Sequence, residues 1–570
     1  MTRTVLRWLC GATVFTLAAF SAAAQKKPPE SPLLRVQSEM VLIDLVVTDQ
    51  EGRPVKDLRG EELQVFEDGK KQKVQFFDFL AGEEDSVAEE EDAYRVAAPA
   101  AEAVLILFLD MASLEANVFL RVKESLGEFL SQPGSPETRV MLASYRNGLR
   151  IHHSLHEERA KLAEALAGVE PVPASESTLA SFRRFYEKME TIFRDSAGDP
   201  LSIAASEGKA FATGIERQTE ALSKALNVLI RSVRAVPGRK QLLFLSSGYP
   251  LRPMSIVRQV IDKRTRGSGQ QILSSAYKER MNAILSASTG GDQRAQLRGV
   301  IDQANRSQVS FYSIDARGLM AASVTGQARD WGSVSRLSGD FEAEIRDAVQ
   351  RAPQAFLTEL ATGTGGRTFL NSNDLMPGLA AAQSDARSYY LLAYRPKNKR
   401  KLGKFHKIEV KLNRPGASAR YRQGYLETDP QTVATGDIIA ALSVPALFSD
   451  FPFQVEVEQQ PGKISFNTVV PTRSLRFSSD GDLFHSSVGV YGILIDSKGK
   501  WVGKEIFFTR GHQFASITAE QKERILSYAT FSLNAEAKPP PAGEYQMVVV
   551  LRQGTDGTLC AHQQTIQVGE

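Results

Sequence analysis

Two hydrophobic patterns alternate along the middle of the chain. Unbroken apolar runs occur at "VLILFLD", "RVMLASY", "QLLFLSS" and "VSFYSID", with a shorter one at "GRTFLN". Runs of this kind read as strands buried on both faces, as in parallel sheets. Between them, apolar residues recur at helical spacing over 115–131, 156–168, 213–235, 294–308 and 353–362. Such alternation predicts a mainly parallel sheet with helices on both faces. One connection differs: Asn147-Gly148 sits between two strand-like arms, a hairpin signal that predicts an antiparallel edge strand. Two stretches, 171–212 and 250–293, exceed ordinary loop lengths and are expected to pack as helical insertions over one rim.

The flanks alternate with the period of two that marks half-buried strands. Residues 33–80 carry the turn signals "DQEGRP" and "EDGKKQ", which predicts a small β domain of hairpins. Residues 81–101 turn acidic and then Ala/Pro-rich, the composition of a solvated linker. The α/β region is assigned to 102–426, closing with "SYYLLAYRP" and "HKIEVKLNRPG" around a basic loop, "KNKRKLGK", read as a solvated hairpin. An amphipathic connector over 427–450 leads to a β-sandwich over 451–570. There "YGILIDSKGKWVGKEIFF" echoes "LIDLVVTDQEGRPVKDL" near the start.

The N-terminus changes the picture of where the protein works. Arg3 and Arg7 precede the short apolar run "WLCGATVFTLAAF" and the small residues of "SAAAQ". This is the pattern of a secretory signal over 1–24, with Gln25 the new N-terminus and a secreted or periplasmic product. No later segment is apolar enough to span a bilayer. With Cys10 removed only Cys560 remains, so an internal disulfide and a cysteine-based zinc site are excluded. The other bulk numbers are ordinary: 570 residues, 42% hydrophobic, 24% charged, formal net charge +3. Nothing in them calls for nucleic acid or an anionic membrane as partner.

In order and spacing, "VVTDQEGRPVKDLRGEELQVFEDGKKQKVQFF", "VLILFLDMAS", "GRKQLLFLSSG", "VSFYSIDARGL", "LTELATGTGGRTF" and "SYYLLAYRP" resemble the von Willebrand factor A-related secreted proteins of bacteria. The resemblance covers roughly residues 35–426 and implies a doubly wound, mainly parallel sheet. It also implies no enzymatic activity and a role in binding an envelope or extracellular protein. Such domains often hold a divalent cation at a metal-ion-dependent adhesion site, with Asp-x-Ser-x-Ser on the first loop and a Thr and an Asp from later loops. Asp110 matches the first position, while Ala112 and Leu114 stand where the serines belong. Ser113 offers a hydroxyl one place away, Ser247 stands where the later Asp is expected, and Thr213 or Thr219 could supply the Thr. This degenerate set of Asp110, Ser113, Thr213 and Ser247 implies no cofactor beyond a weakly bound cation such as magnesium. Read from the residues alone, Asp110 is equally a turn residue whose carboxylate caps the helix starting near 115.

Catalytic patterns are thin. "SSGYP" is not a Gly-x-Ser-x-Gly elbow. His152 and His153 are neighbours on a strand and face opposite sides, with His156 beyond them. "LATGTGGRTF" follows a helix and enters a strand, the reverse of a phosphate loop, so its glycines are expected to end that helix. Two readings follow, an exported binding module or a secreted hydrolase with dispersed active residues. Converging His, Ser and carboxylate groups in a rim cleft would mark the hydrolase.

Overall fold

Alternating burial marks β1 (Val41–Thr48) and β2 (Leu63–Glu67), which are followed by β3 (Lys70–Gln72) and β4 (Val74–Ala81). The computed structural model describes residues 40–569 except 82–102, 133–137, 156–157, 172, 174–176, 196–198, 235, 237–238, 268–278, 280–291, 319–338, 398–400, 503–507 and 556. The expected signal over 1–24, nearly all of the acidic linker and His156 lie outside the described residues.

Parallel strands β5 (Ala103–Asp110), β6 (Thr138–Tyr145), β8 (Lys240–Ser246), β9 (Val309–Asp315) and β10 (Arg367–Phe369) form the central sheet. Its order is β10-β9-β8-β5-β6-β7, and β7 (Leu149–His153) is the antiparallel edge strand after Asn147-Gly148. The fold is therefore mixed α/β, with one mostly parallel sheet and several antiparallel ones.

β5 explains the two layers. Val104, Ile106 and Phe108 pack on one side with α4 (Pro200–Ser232), α6 (Arg294–Arg306) and α7 (Gly339–Gly363). Leu105, Leu107 and Leu109 pack on the other with α1 (Ala116–Ser131), α2 (Leu162–Ala167) and α8 (Met376–Arg387). Each side chain buried in full contributes ~1.5–3 kcal/mol, so these layers hold the sheet rigid. The insertions form their own cluster, in which α3 (Thr178–Asp195) packs Phe182, Phe185 and Met189 against α4 and α5 (Pro253–Gly267).

The expected free-standing β domain over 33–80 needs correction. β11 (Ser388–Tyr394) lies between β1 and β4, and β12 (Phe405–Leu412) pairs with β2. With β13 (Ser418–Arg420) and β14 (Gly424–Leu426), the sheets are β13-β1-β11-β4 and β14-β12-β2-β3. They share one core of Ile43, Leu45, Val65, Tyr390, Leu392 and Ile408. Short hairpins cannot bury an apolar face alone, so residues 388–426 complete the sandwich and the α/β layers are inserted between its halves.

Past the sandwich, α9 (Pro430–Ser443) is no loose connector. It buries Ile438, Ala441 and Leu442 against Ile493, Val548 and Val550. The C-terminal strands are β15 (Gln454–Gln460), β16 (Lys463–Pro471), β17 (Ser478–Asp480), β18 (Leu483–Ile495), β19 (Phe508–Ile517), β20 (Thr530–Ala537), β21 (Gly543–Gln553) and β22 (Leu559–Val568). They make two antiparallel sheets over a common core, in which Cys560 is buried and its thiol pushed up to about 11.

Candidate functional site at the carboxyl rim of the central sheet

The order of the central sheet reverses at β5, whose neighbours β6 and β8 carry the chain away in opposite directions. Ligands of open α/β sheets bind at such a switch point, outside the carboxyl ends of the strands. Leu109 is in register with Leu245, and Ser246 with Asp315, so the ends of β5, β8 and β9 bring Asp110, Ser246 and Asp315 to one rim.

The Asp110 carboxylate is fully buried and both its oxygens are taken. Ser246 Oγ donates to Oδ2 at 2.6 Å, and the Tyr249 hydroxyl donates to Oδ1 at 3.1 Å. Ser113 Oγ lies 3.1 Å from Ser246 Oγ, donates to the Asp110 carbonyl and accepts from Ser247 N at 2.9 Å. Gly248 N closes the set by donating to Ser246 Oγ at 2.9 Å. Gly248 has φ +75° and an added Cβ would lie 2.4 Å from the Pro353 carbonyl, so glycine lets this loop seat against α7. Burial pushes the Asp110 carboxyl up to about 6, against the pull of the hydroxyl bonds. Burial and the Asp110 charge together push the Tyr249 phenol well up.

Sequence and structure differ here in detail. The hydroxyl on Asp110 is that of Ser246, because β8 ends one residue earlier than expected; Ser247 contributes its backbone amide. Thr213 is half-buried on α4 and is not among the partners of Asp110, while Thr219 donates to Ile215 O on its own helix at 2.9 Å. The threonine that reaches the site is Thr178 at the start of α3, whose hydroxyl donates to the Ala112 carbonyl at 3.3 Å. The capping role of the Asp110 carboxylate is also corrected. Its backbone carbonyl closes the turn, accepting from Ser113 N and Leu114 N, and Glu115 is the N-cap residue of α1.

The donor set does not fit a hard divalent cation, which takes about six oxygens and commonly one or two carboxylates plus water. One carboxylate is present, with hydroxyl protons on both oxygens. Asp315, the next acid on the rim, is held by Arg317 at 2.7 and 2.8 Å and by Gln354 at 2.9 Å. Among the described residues no cluster of three His, Cys, Asp or Glu side chains is placed to hold a metal.

The histidines of β7 are engaged away from Asp110 and Ser246. His152 bonds Ser144 at 2.7 Å, and His153 faces the carbonyls of Val140 and Glu158 at 3.0 Å. No described histidine bonds Ser246 or Asp110. The glycine-rich stretch ends α7, with Gly365 at φ +74° and Gly366 N bonded to Ala361 O.

No protein-family model matches the chain, and no curated protein matches it. Among solved structures, the chain is similar to proximal thread matrix protein 1 from the mussel byssus, at 9% identity and TM-score 0.22 over 51% of this chain and 48% of that one. The same protein with a zinc-occupied MIDAS motif aligns at 9% identity and TM-score 0.20, over 53% and 49%. The match spans about half the length of those chains, and so shallow a likeness adds nothing to the reading of the site.

Proposed function

We propose that this chain is an exported, non-catalytic binding protein, built on a von Willebrand factor A-type domain whose cation site has been closed by hydroxyl groups. The observation that carries the reading is the Asp110 carboxylate, buried at the switch point with Ser246 and Tyr249 on its two oxygens. A cation-dependent rim needs an open coordination position, and a hydrolase needs an exposed nucleophile with a base; this arrangement favours neither. Binding of an envelope or extracellular protein would then be independent of divalent ions. Export rests on the "SAAAQ" pattern of the N-terminus.

The test is thermal unfolding of wild type and Asp110→Asn in excess Mg²⁺ and in EDTA. The expected melting temperature of each protein is the same in both buffers. A wild type clearly raised by Mg²⁺, with the variant indifferent, overturns the closed-site reading. N-terminal sequencing of the exported protein checks Gln25, and Met1 retained in a membrane fraction would contradict export.

A further inference from the structure

One end of the first sandwich concentrates positive charge around two exposed apolar side chains. Lys397, Lys401, Lys404 and Lys407 come from the β11–β12 region, and Lys70 and Lys71 from the β2–β3 hairpin; all six are exposed. The fold puts them together. Lys397 Nζ reaches Lys71 O at 3.4 Å, Lys404 Nζ reaches Asp68 at 2.7 Å, and Asp68 N donates to Lys407 O at 2.9 Å. The local acids are largely spent. Glu67 is fully buried beneath the Tyr394 and Tyr425 hydroxyls, and Asp68 is shared by Lys404 and His406.

At the centre is a built turn. Lys404 N donates to Lys401 O at 3.1 Å, and Gly403 supplies φ +76° at the third position, which other residues resist. Gly403 N donates to Glu427 O and Glu427 N to Lys404 O, so the turn is fastened to the chain after β14. It raises Leu402 at 67% exposure, and Phe405 follows at 47%. A single exposed leucine needs no explanation. A large apolar group on a fastened turn, with a second at the start of β12 and exposed lysines at 401, 404 and 407 beside them, is a different matter.

We propose that this end of the sandwich docks on an anionic lipid surface, with Leu402 and Phe405 entering the headgroup boundary and the lysines on acidic headgroups. A soluble polyanion would explain the lysines but gives Leu402 nothing to do, nor the exposed face of the Phe405 ring that lies over Gly424, since counterion release needs charge alone. An anionic bilayer takes both kinds of group at once.

The test is co-sedimentation of the full chain with phosphatidylcholine vesicles and with phosphatidylcholine–phosphatidylglycerol vesicles. Comparison between variants cancels any contribution of the apolar N-terminal stretch. Binding is expected on the mixed vesicles and to weaken with salt. Lys71→Gln and Lys401→Gln should each weaken it about fivefold, and Leu402→Ser with Phe405→Ser about tenfold or more. Leu402→Trp keeps the readout independent of any loss of fold: its fluorescence should shift to the blue when mixed vesicles are added. No binding at low salt, or a tryptophan spectrum that vesicles leave unchanged, overturns the proposal. So does a Leu402/Phe405 variant that binds like wild type while DNA or polyphosphate competes, which would mark a polyanion site instead.

Discussion

Tyr249, with Ser246, leaves neither oxygen of the Asp110 carboxylate without a hydroxyl donor, and Asp110 carries the consequence. With its carboxyl pushed from an ordinary 3.8 to about 6, the folded state holds a proton that the unfolded state releases across that window. A raised carboxyl contributes stability fully present below the unfolded value and lost as pH rises through the folded one. The gap corresponds to about 3 kcal/mol. Asp110→Asn removes the titration, so the variant should gain on wild type between pH 4 and pH 7, then run parallel above it. Thermal unfolding across that range measures it, and parallel curves throughout would contradict the assignment. Tyr249→Phe removes a donor to the ionised form, and should cost about 1–2 kcal/mol at pH 8 and less at pH 4. Asp110 was legible because an acid ends an apolar run of six residues. Ser246 was missed by one place because a sequence does not mark where a buried strand stops. Thr178 and Tyr249 were missed because their arrival at the rim depends on how α3 and the β8 loop pack, which no local pattern encodes.

Elements tell a similar story about range. The helices at 116–131 and 294–306 and the Asn147-Gly148 hairpin lie close to where periodicity put them, since each is specified by neighbours in sequence. The echo between the two ends is also real in geometry. Asp49 N bonds Arg53 O and Asp496 N bonds Lys500 O, each at 2.9 Å, and in both turns the Asp carboxylate accepts from the amide four residues on. What could not be read is that β4 is an edge strand among the described residues, because its partner β11 lies some 310 residues away. That edge is apolar, "VQFFDFLA", with Phe76 exposed, and open apolar edges invite pairing between molecules. Asp78 guards it: its carboxylate accepts from Phe79 N at 2.9 Å, occupying a backbone donor and placing charge on the strand. Asp78→Val should therefore produce concentration-dependent self-association without a change in secondary structure. Light scattering against concentration reads this, and a variant that stays as dispersed as wild type would show that the edge is protected by something else.

At the scale of the whole molecule the order of the domains in sequence misleads, because the α/β layers are inserted into a sandwich whose halves flank them. A chain beginning at residue 103 loses β1 to β4 and leaves Tyr390, Leu392, Tyr394 and Ile408 without their core, so it should be insoluble although it retains every strand of the central sheet. The two regions are also joined by buried charge. Asp385 at the end of α8 accepts from Tyr312 of the central sheet and, at 2.7 Å, from Arg420 of the sandwich. A comparable fastening holds the C-terminal sheets. Asp437 on α9 is nearly inaccessible and takes Arg231 in the last turn of α4 and Arg234 just past its end, each at 2.6 Å, while the apolar side of α9 packs on β18 and β21. Removing one partner of a buried pair costs ~3–5 kcal/mol where the other charge stays buried. Here both arginines are partly exposed and can turn to water, so the loss for Asp437→Ala should be nearer about 2 kcal/mol. The effect should be local. Wild type should resist protease across 430–443, whereas the variant should be cut there and release the C-terminal sandwich before the central sheet unfolds. Limited proteolysis with mass spectrometry distinguishes the cases: early cleavage of wild type within 430–443 would mean that α9 is a hinge after all, and that the contacts of Asp437 do not hold the two parts together.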